Sequence, residues 1–110
     1  MIEKMQPGVT CGEVIGAVMQ FLDGKGYAQY AVPIFGHGIG VAGDEFYPPV
    51  MAVPPWNEMV LQPNMVEEAY LQLNVPGVGG FRLEAPLLIA EKGNELLCKV
   101  SWEPRRIACD

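Results

Sequence analysis

A single histidine, His37, stands between glycines in the string Gly36-His37-Gly38-Ile39-Gly40, and it is the only imidazole in 110 residues. Imidazole nitrogen and carboxylate oxygen together build divalent-metal sites or acid–base pairs. The question is therefore which of the 13 Asp and Glu residues reach His37. The cysteines, Cys11, Cys98 and Cys109, are widely spaced and form no C-x-x-C pair. That spacing argues against a zinc knuckle or a disulfide framework and reads as reduced thiols, one or two of them small core residues. One His and three dispersed Cys do not supply a self-sufficient multi-ligand metalloenzyme.

Strand alternation gathers the other polar candidates. Ala69, Leu71, Leu73 and Val75 alternate with Tyr70, Gln72 and Asn74, and after the turn Pro76-Gly77-Val78-Gly79-Gly80 the residues Phe81, Leu83, Leu87 and Ile89 alternate with Arg82 and Glu84. This is a hairpin with one apolar face. In any in-phase pairing Tyr70, Gln72, Arg82 and Glu84 share the polar face. Pairing Val75 with Phe81 places Gln72 opposite Glu84. Glu84 beside Arg82 reads as a local ion pair on a solvated face.

A helix must back this hairpin. Thr10 and Glu13 form a capping box, and Val14, Ile15, Val18, Phe21 and Leu22 follow as a one-sided stripe over about four turns. Gly24 and Gly26 supply the stop. Residues 27–35 read as a strand weakened by Pro33. Residues 36–57, with two Pro-Pro pairs, read as a long irregular and functional loop carrying His37. Residues 59–61 suit a short strand before the turn Gln62-Pro63-Asn64. A further turn falls at Glu91-Lys92-Gly93-Asn94, residues 95–100 suit a last strand, and a polar tail follows. Met51, Met59, Met65 and Trp56 suit core or interface better than a cofactor box.

Composition bounds the function. Half the residues are apolar, 18% are charged, and the net charge is −6. The expectation is one globular domain over residues 1–110 that binds neither nucleic acid nor an anionic membrane. The first ten residues hold no signal-like apolar run, and no stretch is long enough to span a bilayer, so the expected location is cytoplasmic.

Four strings, in order, resemble the pita-bread metallopeptidases: methionine aminopeptidase, aminopeptidase P and creatinase. They are Gln6-Pro7-Gly8-Val9-Thr10 before the helix, Gly36-His37-Gly38-Ile39-Gly40, Leu61-Gln62-Pro63-Asn64-Met65-Val66, and Pro76-Gly77-Val78-Gly79-Gly80-Phe81-Arg82-Leu83-Glu84. The resemblance implies an α+β fold equal to the second half of that domain: a small, mostly antiparallel sheet with one long helix packed on it. It also implies that two aspartate ligands belong to a first half absent from these residues.

Of the remaining ligands, the resemblance places the histidine on His37 and the bridging glutamate on Glu84. The other glutamate belongs in the pattern PGMV-x-x-x-E-P, and its position is Tyr70. A second, substrate-side histidine falls on Asp44, next to Glu45, and Asn64 replaces a glycine. Tyr70 is a neutral phenol and a poor ligand for these metals. The resulting expectation is a metallopeptidase-like protein without catalytic residues of its own and with no cofactor. It keeps a vestigial cleft at His37, Tyr70 and Glu84, with Asp44, Glu45 and Arg82 as substrate-side candidates. An uncovered half-fold further implies a homodimer. The alternative is a hydrolase using Mn, Co, Zn or Fe, with His37 and Glu84 as ligands in a site completed between subunits or by a separate first-half chain. A truncated piece of a larger aminopeptidase is the third reading.

Overall fold

The computed structural model describes residues 1–40, 43–52 and 58–108, the segment 43–52 by its backbone path alone. Helix α1 spans Cys11–Gly24. Its start is the expected capping box: the Glu13 amide donates to Thr10 Oγ1 at 3.2 Å, and the Thr10 amide donates to Glu13 Oε2 at 2.8 Å. Those bonds to the charged form hold the Glu13 carboxyl below its ordinary range. The helix ends where Gly26 takes φ +75° and the Tyr27 amide returns to the Leu22 carbonyl at 2.8 Å. Thr10→Ala removes the cap and is expected to cost about 1 kcal/mol. Urea denaturation would read this as a lower midpoint with an unchanged slope.

Five strands form one antiparallel sheet: β1 (Ile34–Gly40), β2 (Gly43–Ala52), β3 (Val66–Val75), β4 (Gly79–Ile89) and β5 (Asn94–Leu96), in the order β2-β1-β3-β4-β5. The apolar parity of β3 and β4 faces α1. Ala69, Leu73, Leu87 and Ile89 pack there with Cys11, Val14, Ile15, Val18, Leu22, Phe35 and Leu61. Met5 joins this core, and Asn94 clasps the first turn by donating to the Ile2 and Met5 carbonyls at 2.8 Å each. Among the described residues no helix is long and apolar enough to cross a membrane.

Several expectations are corrected. Residues 27–35 are not one strand: a short 3-10 turn, Ala28–Tyr30, precedes a strand that begins at Ile34. Residues 36–40 and 43–52 are not a loop, since His37 sits inside β1, which pairs with β2, and the rest of that stretch lies outside the described residues. The glycines and the Pro48-Pro49 pair are accommodated because β2 is an edge strand and the pairing is broken by register shifts after Ile34, His37 and Gly38. Residues 59–61 make a single bridge, Thr10 to Val60, rather than a strand. The last strand is three residues long and ends at Leu96. Phe21 is 65% exposed instead of buried, with the Lys25 ammonium 6.0 Å from its ring centre.

The β3–β4 hairpin is confirmed, but its register differs by two residues: Val75 pairs with Gly79, so Arg82 lies opposite Gln72 and Glu84 opposite Tyr70. Only Pro76, Gly77 and Val78 form the loop, with Gly77 at φ +75°. Asn64 occupies the left-handed region at φ +70°, as a glycine replacement there must. Met65 packs against the core and Met59 is exposed, while the side chain of Met51, with Trp56 and Cys109, lies outside the described residues. Cys11 and Cys98 are free thiols. Burial, with the charge of Glu67 added, pushes the Cys11 thiol up to about 11, so it is inert at neutral pH.

Candidate functional site

Three adjacent strands bring the candidate residues together on the sheet face opposite α1. On β1, His37 lies directly across from Glu68 of β3, and on β3 Tyr70 lies directly across from Glu84 of β4. Period-2 alternation places Glu68, Tyr70 and Gln72 on this face and sends Glu67, Ala69 and Leu73 to the core. The site is thus a band across β1, β3 and β4.

His37 is 7% exposed. Its Nδ1 is 3.1 Å from the Gly38 carbonyl oxygen. A carbonyl only accepts, so Nδ1 carries the proton and Nε2 holds the lone pair whenever the ring is neutral. Nε2 is 3.7 Å from Glu68 Oε2, an electrostatic contact longer than a hydrogen bond. The imidazole edge meets the Tyr70 ring, with centroids 6.1 Å apart.

Tyr70 and Glu84 share one cation. The Arg82 guanidinium lies 4.4 Å above the Tyr70 ring centre, and Arg82 Nε pairs with Glu84 Oε1. Both members of that ion pair are substantially exposed, so its worth is small and salt-dependent. Burial raises the Tyr70 phenol above its ordinary range, with Arg82 opposing and the Glu84 and Glu68 charges adding. Tyr70 is therefore a neutral phenol at working pH.

Glu68 is the site residue that sequence reasoning did not single out. Burial, then the Glu84 charge, raise its carboxyl above the ordinary range, with His37 and Arg82 acting the other way. Contact with the Glu84 side chain adds to the rise. The parity that put Tyr70 on the polar face also puts Glu68 there, two residues earlier; that was the available signal.

Among the described residues no three His, Cys, Asp or Glu side chains stand so that they could hold a metal ion. Opposite Glu84 the sheet presents a phenol, and Glu84 already carries Arg82. Asp44 and Glu45 fall at the start of β2, whose pairing runs from Gly40 with Gly43 to Ile34 with Ala52, and their side chains lie outside the described set. The face offers two neighbouring carboxyl groups, an imidazole and a guanidinium stacked on a phenol, suited to hydrogen bonding and charge recognition.

With the geometry in place, comparison with known proteins fixes the ancestry. The sequence model of Metallopeptidase family M24 matches residues 1–91. The chain belongs to family M24. Among curated M24-like relatives, the Xaa-Pro dipeptidase of Pyrococcus furiosus is 29% identical over 102 residues, covering 93% of this chain and 28% of that protein. An uncharacterized peptidase of Staphylococcus saprophyticus is 32% identical over 96 residues, covering 87% of this chain and 26% of that protein.

The solved prolidase from Pyrococcus furiosus superposes with a TM-score of 0.81 at 29% identity, over 91% of this chain and 28% of that one. The X-Pro aminopeptidase from Thermotoga maritima, at 24% identity, gives 0.83 over 93% and 28%, a likeness of fold. The fold is accordingly part of the pita-bread domain, and this M24 chain spans little more than a quarter of the length of the relatives it matches.

Proposed function

We propose that this M24 chain is a metallopeptidase-like protein that does not hydrolyse peptides by itself and acts through self-association and ligand binding at the His37–Tyr70–Glu84 face. The observation that carries this reading is the pairing of Tyr70 with Glu84 under a common Arg82. A two-metal hydrolase needs bridging carboxylates that neutralise both ions, and beside Glu84 this face carries a phenol and an intramolecular cation. Exposed Phe21, Leu83 and Trp102 line an open groove of about 510 Å³ and support association with a second copy.

The test is hydrolysis of an Xaa-Pro dipeptide by the purified chain with millimolar Mn²⁺, together with size-exclusion chromatography at micromolar concentration. The expected result is no turnover above buffer and elution as a dimer. Turnover lost in His37→Ala would refute the inactive reading, and a monomer would refute self-association.

A second reading has its own support: His37 and Glu84 are both present, and several relatives are named Xaa-Pro dipeptidases while this chain spans only 28% of the first of them. In that reading the chain is half of a metal-dependent hydrolase completed by a second copy or by a first-half chain, with His37 and Glu84 supplying ligands for Mn, Co, Zn or Fe. Mixing with the separately expressed first half of a related prolidase separates the two. Turnover that appears only in the mixture favours the second reading.

A further inference from the structure

Glu67 occupies an apolar position on the wrong side of the sheet for a carboxylate. Its side chain is fully buried, and among the described residues neither carboxylate oxygen has a hydrogen-bond partner. The residues across from it are Gly38 on β1 and Leu87 on β4, neither of them titratable. From α1 the Cys11 thiol faces it, close enough for the Glu67 charge to act on it. The other carboxylate at that end of the helix, Glu13, is turned back to the Thr10 amide. Strand β2, which also runs against α1, carries Asp44, Glu45 and Tyr47. A buried carboxylate with no partner is tolerated only when neutral.

We propose that Glu67 is a proton-dependent latch between α1 and the sheet: the protonated carboxyl lets the N-terminal half of α1 seat on β3, and losing the proton lets that end lift. This end is held by the core packing of Cys11, Val14 and Ile15 and by backbone bonds to residues 59–61, among them the Gly8 amide to the Leu61 carbonyl at 2.8 Å. The Cys11 amide bonds to the Met59 carbonyl at 3.0 Å, the Leu61 amide to the Val9 carbonyl at 2.9 Å, and Thr10 bridges Val60. An ionised Glu67 gains water by parting these contacts more cheaply than by opening the β3–β4 ladder. Burial alone pushes the carboxyl from 4.5 up to about 8. The latch is therefore fully closed below about pH 4.5, where the unfolded chain is protonated too, and is released as pH rises toward 8.

Amide hydrogen exchange on the whole chain at pH 5, 6, 7 and 8.5 tests the latch, after correction for the intrinsic pH dependence of exchange. For the amides from Ile15 to Val18 the opening constant is expected to rise by close to tenfold per pH unit in the wild type. The β3–β4 amides should change far less. Glu67→Gln and Glu67→Leu should both flatten the α1 profile, and either one suffices if the other does not fold. Equal loss at helix and hairpin would mean global unfolding and overturn the latch. So would an unchanged pH profile in whichever variant folds, or a wild-type profile with no slope.

Discussion

Replacing Tyr70 with glutamate is expected to give the site face an affinity for Mn²⁺ at least tenfold above that of the wild type. The expectation follows from the register. Residue 70 is directly opposite Glu84 and on the same face as His37, whose ring edge already reaches the Tyr70 ring. A carboxylate there adds an oxygen donor between an imidazole and a second carboxylate, the donor types that hold Mn, Zn and Fe. Like charges directly opposite on a sheet repel, and the buried phenol is lost, so Tyr70→Glu without metal should be less stable than the wild type. Mn²⁺ should then raise the melting temperature of Tyr70→Glu but not of the wild type, because a ligand that binds only the folded chain stabilises it by mass action. Adding His37→Ala to Tyr70→Glu should abolish the gain. A Tyr70→Glu variant indifferent to Mn²⁺ would show that the missing carboxylate is not what limits this face.

Phe35→Ala should be the most damaging single truncation for the fold. Phe35 is wholly buried and is the largest of the fully buried side chains among the described residues. It belongs to β1, one residue before the Gly36-His37 pair, and packs in the cluster that seats α1 on the sheet. Removing a buried phenyl ring costs about 3–5 kcal/mol in lost transfer energy and cavity. That is a large share of the roughly 5–15 kcal/mol that holds a domain together. Urea denaturation near pH 5, where Glu67 is neutral, would show the loss as a lower midpoint. Phe35→Leu keeps most of the apolar volume and should lose much less. A loss below about 1 kcal/mol for Phe35→Ala would mean that the cavity collapses or that the ring is less buried than described.

Much of this architecture is written in local signals. The Thr10–Glu13 capping box and the stripe from Val14 to Leu22 are self-contained, because a helix satisfies its own backbone and declares its buried face by spacing. The hairpin parity was equally legible, and it correctly placed Tyr70, Gln72, Arg82 and Glu84 on one face. Its register was not, because Gly79 and Gly80 look like turn residues yet pair in the ladder, so the loop is shorter than composition suggests.

The strand placement of His37 is hidden from the sequence for a related reason. Glycine and proline lower strand propensity, but the glycines of β1 are held between β2 and β3 and the Pro48-Pro49 pair falls on the edge strand β2, and both are tertiary facts. Phe21 fits the helical stripe but lies at its margin, where the core ends and Lys25 covers the ring. Glu67 and Glu68 illustrate the limit from the other side. Parity alone assigns one to the core and the other to the site, yet a glutamate on an apolar face runs against composition, and nothing local shows that its carboxyl finds no partner.

The central claim is that this chain's own donors do not hold a catalytic ion, and calorimetric titration of the purified wild type with Mn²⁺ tests it most directly. The account predicts no site tighter than a Kd of about 1 mM, which corresponds to about −4 kcal/mol. Stoichiometric binding in the micromolar range that disappears in both His37→Ala and Glu84→Gln would contradict it.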